Sequence, residues 1–159
     1  MNTPWHLIRT SLIAAGLVSA GCAVSQTETD AGAPLARQVA QSAHCGLTAP
    51  GALHINSRAE VARLEALPGR SLSLQALRTI DYQREHIVLA SIGQKPTGGF
   101  GVTLAGSELV DDTLELTVRV TEPAPGTLVT QALTTPCAVI AVTASGWREV
   151  RITRAQNNR

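Results

Sequence analysis

Few residues of this chain are equipped for chemistry: three cysteines, four histidines and one lysine set just before a glycine pair. His44, Cys45, His54 and Cys137 offer imidazole and thiol donors, but the short CxxC or HxxxH pair that seeds a zinc site is missing, so no metal is expected. Ser91, His86 and Asp81 supply the side-chain types of a hydrolytic triad, yet neither a GxSxG elbow nor an SxxK motif accompanies them. Lys95-Pro96-Thr97-Gly98-Gly99 holds the residues of a phosphate cradle in the wrong order, because a P-loop places its lysine after the glycines and opens a helix. Asp111, Asp112 and Glu115 crowd one turn without the spaced ligands of a calcium loop. No catalytic residue and no cofactor is therefore expected, and the chain reads as a non-enzyme.

What remains is shape. Pro96 presets the approach to Gly98-Gly99, whose missing Cβ atoms permit positive φ or close backbone contact. Lys95, Pro96, Thr97, Gly98, Gly99 and Phe100 thus form one rigid loop, and Pro123 and Pro125 stiffen a second, Glu122-Pro123-Ala124-Pro125-Gly126. Loops of this kind carry recognition on a β scaffold, and these residues are the candidate binding surface. The competing reading is that the glycines and prolines only shape turns, with Phe100 packed inside.

The elements that must position these loops follow from periodicity. From residue 113 to 121 alternation is strict, with Leu114, Leu116, Val118 and Val120 on one face and Thr113, Glu115, Thr117, Arg119 and Thr121 on the other, which predicts a half-buried strand. Phe100, Val102 and Leu104 alternate too, and Gly106-Ser107-Glu108 with Asp111-Asp112 joins the two segments into a hairpin. Residues 86–92 and 137–143 are apolar on both faces and read as central, covered strands. Residues 51–55 predict a short first strand, 128–133 an extended segment, and 147–152 a final strand. Ser57 followed by Glu60 has capping-box spacing, so a helix is expected over 57–67 with Val61, Leu64 and Leu67 on one face and Pro68-Gly69 as its stop. A second short helix or turn is expected over 72–77. The fold class is therefore α+β, mainly an antiparallel, sandwich-like sheet of about six strands with one or two short helices.

Residues 1–21 read as a leader: a weakly basic start with His6 and Arg9, an apolar run over 12–20, and Leu17-Val18-Ser19-Ala20-Gly21-Cys22, small residues ahead of a cysteine. That ending resembles a bacterial lipobox, which makes Cys22 the lipidation site. An ordinary signal peptide cut near Ala20 is the alternative. The apolar run is shorter than the roughly 20 residues a bilayer core requires, so the leader does not read as a spanning helix. Cleavage before Cys22 removes 21 of 159 residues and leaves 138, held to a membrane by several acyl chains, palmitate among them. Ala23 in place of aspartate favours the periplasmic face of the outer membrane. Residues 22–43 are then a flexible tether with at most a transient helix over 35–40, residues 44–153 the folded domain, and residues 154–159 a frayed tail.

The chain carries 13 basic and 12 acidic side chains, and the leader's one charge is Arg9, so the remainder is balanced. A balanced surface gives no footprint for nucleic acid. Beyond the leader the aromatics are Tyr82, Phe100 and Trp147, too few for stacking platforms. Once Cys22 is acylated, Cys45 and Cys137 are the two thiols left, and in an oxidising envelope two cysteines pair in one way. Such a bridge closes a loop of about 92 residues, which the chain-entropy model values at about 4 kcal/mol. Two free thiols, with Cys137 as a small core residue, is the other possibility.

The ordered motifs Lys95-Pro96-Thr97-Gly98-Gly99-Phe100, Glu122-Pro123-Ala124-Pro125-Gly126 and Gln131-Ala132-Leu133-Thr134-Thr135-Pro136, with Asp81-Tyr82 before a strand, resemble the C-terminal domain of the protease complex subunit PrcB family. The resemblance spans roughly residues 81–142. Cys137 departs from it, standing where the family is expected to carry an aromatic. The resemblance implies a small secreted or lipid-anchored β-rich domain without catalytic residues, in some members an accessory subunit of a cell-surface protease. An envelope or protease-complex protein is accordingly the expected partner, with a periplasmic binder of a lipid or glycan fragment as the alternative.

Overall fold

The computed structural model describes residues 34–66 and 73–156. Cys22, the leader, the tether up to residue 33, the expected helix stop at Pro68-Gly69 and residues 157–159 lie outside the described residues. In chain order the elements are β1 (Ala36–Ser42), β2 (Pro50–Ile55), α1 (Arg58–Glu65), α2 (Gln75–Arg78), β3 (Glu85–Ile92), β4 (Gly101–Val110), β5 (Thr113–Thr121), β6 (Cys137–Thr143) and β7 (Glu149–Arg154). They make one sheet in the order β1-β6-β3-β2 and another in the order β4-β5-β7. The architecture is α+β, with two sheets face to face and both helices on the outer side of the first sheet.

Two cores explain why β3 and β6 are apolar on both faces. Ile87 and Leu89 of β3, with Cys137, Val139 and Ala141 of β6, pack beneath Val61 and Leu64 of α1 and Leu77 of α2. The alternate residues Val88, Ala90 and Ile92, with Ala138, Ile140 and Val142, meet Leu114, Leu116 and Val118 of β5 across the inter-sheet layer. A strand covered on each side has no polar face to display. β5, with its second face turned away from the core, keeps a strict alternation visible in its sequence.

Several expectations are corrected. Residues 36–42 are not tether and not helix: β1 pairs antiparallel with β6, from Ala36 opposite Val142 to Ser42 opposite Cys137. The register shifts between Gln38 and Ala40, and this bulge breaks the period of two that would have betrayed the strand. Without β1, the doubly buried β6 would be an unpaired edge. The β4–β5 hairpin turns at Asp111-Asp112 alone, at φ 46° and 63°. This is the positive pair a tight two-residue turn demands. Gly106-Ser107-Glu108 stays in β4, just past a register shift between Leu104 and Gly106.

Residues 128–133, expected to be extended, join neither sheet and run beside the 95–99 turn, where the Thr130 carbonyl accepts the Gly98 N–H at 2.9 Å. The last strand lies parallel to β5, because the chain crosses to the first sheet as β6 before returning as β7. It also reaches past the expected domain boundary at residue 153: Arg154 is its last residue, and the Ala155 N–H donates to the Val118 carbonyl at 2.8 Å. At the start of α1 the box is shifted by one residue. Ser57 makes no side-chain cap, and Glu60 Oε2 accepts the Asn56 N–H at 2.7 Å.

Cys45 and Cys137 are joined in a disulfide across 92 residues of chain. Both are fully buried on the helix side of the first sheet. The bridge fixes residues 43–46 against the start of β6, aided by the Cys45 N–H on the Thr135 carbonyl at 3.0 Å and the Gly46 N–H on Thr135 Oγ1 at 2.9 Å.

Candidate functional site

The 95–100 loop leaves β3 and enters β4, and its backbone is tied to the segment before β6. Lys95 N–H donates to the Thr134 carbonyl at 2.8 Å and Thr134 N–H returns to the Lys95 carbonyl at 3.0 Å. Thr134 Oγ1 donates to the Thr97 carbonyl at 2.8 Å, and the Gly98 N–H to the Thr130 carbonyl at 2.9 Å. Thr134 is buried, so these bonds are shielded from competing water. Lys95 Nζ stands 5.6 Å from the Phe100 ring centroid, a cation–π distance.

The two proline-marked loops meet at Gly99. It adopts φ +86°, and a Cβ built there would lie 3.0 Å from Pro123 Cβ and 3.0 Å from Val129 Cγ1. Glycine is required both by the dihedral and by the neighbours. Phe100 is half-buried against the inter-sheet core, whereas Pro96, Gly99 and Pro125 are exposed. Glu122, Pro123, Ala124 and Pro125, with Val120, Arg154 and Ala155, line a depression of about 510 Å³. Two apolar side chains that the sequence did not single out as surface stand nearby in the chain: Leu128 is 99% exposed and Leu133 is 63% exposed. No periodic pattern flags a residue of an irregular segment, so exposure was the one signal.

The chemical constellations resolve differently. His86 and Ser91 are five apart on one strand and therefore project from opposite faces of it. Ser91 Oγ is held at 3.4 Å from the Leu47 and Pro136 carbonyls and accepts the Gly93 N–H at 3.0 Å. Asp81 Oδ1 accepts the Gln83 N–H at 3.1 Å, a local turn contact. The three residues do not assemble. Of the four metal candidates, Cys45 and Cys137 are consumed by the disulfide. Asp112 approaches Arg148 at 3.5 Å and Glu115 pairs with Arg151 at 3.0 Å, so the acidic turn is partnered by arginines.

His54 lies on the expected first strand. It sits on β2 with Nε2 3.0 Å from His86 Nδ1. Desolvation, then the neighbouring His54, holds the His86 pKa below the usual imidazole value, while Glu60 raises it slightly. The pairing was hidden in the sequence because 32 residues and both helices separate the two.

Both loops and the segment that ties them fall inside the one stretch that a family model matches. Residues 86–143 match the PrcB C-terminal family model. The PrcB C-terminal match begins at His86, within β3, and so leaves Asp81-Tyr82 outside, a few residues short of the resemblance read from the motifs. It runs to the end of β6 and takes in Lys95, Phe100, Pro123, Pro125 and Thr134. No curated protein and no solved structure matches the chain significantly.

Proposed function

We propose that this chain is a non-catalytic envelope lipoprotein, acylated at Cys22, whose PrcB-like domain binds and steadies another protein, a surface protease in the setting the family suggests. One observation carries the reading. Within the PrcB C-terminal match, the 95–100 loop is hydrogen-bonded to residues 130–134 and packed against Pro123 of the second loop, and Leu128 and Leu133 of the same stretch stand bare. Exposed leucines flanking a preordered loop lose little entropy on docking and gain apolar burial, the economy of a contact surface. Leu114, Leu116 and Ile140 are fully buried in the inter-sheet layer, and a small ligand, the alternative reading, would have to take the depression of about 290 Å³ that Ala90, Ile92, Val102, Val118 and Ile152 line at its edge.

The test uses the full chain recovered from its own solubilised membranes after cross-linking. A stoichiometric protein partner is expected, lost in Leu128→Ser/Leu133→Ser while the melting temperature is unchanged. Gly99→Val would not separate binding from folding, because its Cβ branches have no room beside Pro123. In parallel, Cys22→Ala should release the protein from the membrane fraction. Recovery of the chain without any partner in mild detergent would sink the reading.

A further inference from the structure

Two imidazoles and an indole converge at one end of the inter-sheet layer. His54 comes from edge strand β2, His86 from the start of β3, and Trp147 from the turn between β6 and β7. His54 lies opposite Val88 in the ladder, so His54 and His86 are diagonal neighbours on one face. Their ring centroids are 5.0 Å apart. Trp147 stands edge-on to both, 5.3 Å from His54 and 6.2 Å from His86, with its Nε1–H anchored on the Thr143 carbonyl at 2.7 Å.

We propose that His54 and His86 form a two-nitrogen chelate for a divalent transition-metal ion, copper(II) foremost, with Trp147 as its wall. Metal–imidazole bonds of about 2.0–2.1 Å meeting at roughly a right angle place their nitrogens about 2.9 Å apart. His54 Nε2 and His86 Nδ1 are 3.0 Å apart already. The separation that lets neutral rings share one hydrogen is thus close to the one that lets them share a cation. On binding, the ion takes the place of the shared hydrogen, and that ring carries its proton on the other nitrogen instead, so both ligands stay neutral and no proton is released overall.

The donors are preorganised because β2 and β3 are paired along their length, and tetragonal nitrogen geometry is the preference of copper(II). His54 is exposed, which gives the ion access. Among the described residues no group of three His, Cys, Asp or Glu gathers, so the other positions fall to water or an exogenous ligand.

The experiment titrates copper(II) chloride into chelator-treated full-length protein, followed by electron paramagnetic resonance and tryptophan emission. One equivalent should bind with hyperfine structure from two nitrogens and quench Trp147, with zinc and nickel binding more weakly. His54→Gln and His86→Gln should each weaken binding at least about tenfold without lowering the metal-free melting temperature. Equal copper affinity in the parent and the double variant would overturn the proposal. So would quenching that persists in both single variants, or a spectrum without nitrogen coupling.

Discussion

Lys95 and Thr134 exchange both backbone hydrogen bonds, and the Thr134 hydroxyl adds a third to the Thr97 carbonyl at 2.8 Å. A residue 4% exposed, 37 positions from Thr97, thereby sets the shape of a solvent-facing turn. Thr134→Val keeps the volume and removes the hydroxyl, leaving the Thr97 carbonyl without that donor. A loss of about 1–2 kcal/mol is expected. Urea denaturation measures it, and faster hydrogen exchange at the Gly98 amide would show that the turn itself has loosened.

The Cys45–Cys137 bridge closes 92 residues of chain and is fully buried. Replacing both cysteines by alanine should cost about 2–5 kcal/mol, chiefly by freeing the unfolded chain. Denaturant midpoints with and without reductant test this. Equal midpoints would mean that the hydrogen bonds around Thr135 hold the junction unaided.

A chain shortened to begin at Ala43 loses β1 and uncovers the edge of β6, whose residues from Cys137 to Val142 are all buried. Loss of cooperative thermal unfolding, with association visible by size-exclusion chromatography, is the expected outcome. A soluble, cooperatively folded product would restore the tether boundary to residue 43.

In metal-free protein the depressed His86 pKa makes stability pH-dependent. The unfolded imidazole binds a proton more readily than the folded one, which is held down by desolvation and by His54 and nudged up by Glu60. The associated stability is fully present above the unfolded pKa, and it is lost as pH falls from near 6.5 through the lower folded value. Melting temperature should drop over that window in the parent, and less in His86→Gln, both measured with chelator present.

The residues of β3, β5 and β6 announced themselves by pattern alone, because burial on one face or two leaves a direct trace in residue type. The loops at Lys95 and Pro123 were equally plain, since prolines mark both and glycines stand where Gly99 and Gly126 take positive φ, and with the leader set aside two cysteines had one possible pairing. Tertiary structure decided the rest. β1 carries a bulge that erases its periodicity, and only the need of β6 for a second neighbour makes it a strand. The parallel placement of β7, the union of His54 with His86 and the exposure of Leu128 all depend on which distant segments the fold brings together. A linear sequence encodes each residue's preference for water or oil, but not the neighbour that will satisfy it.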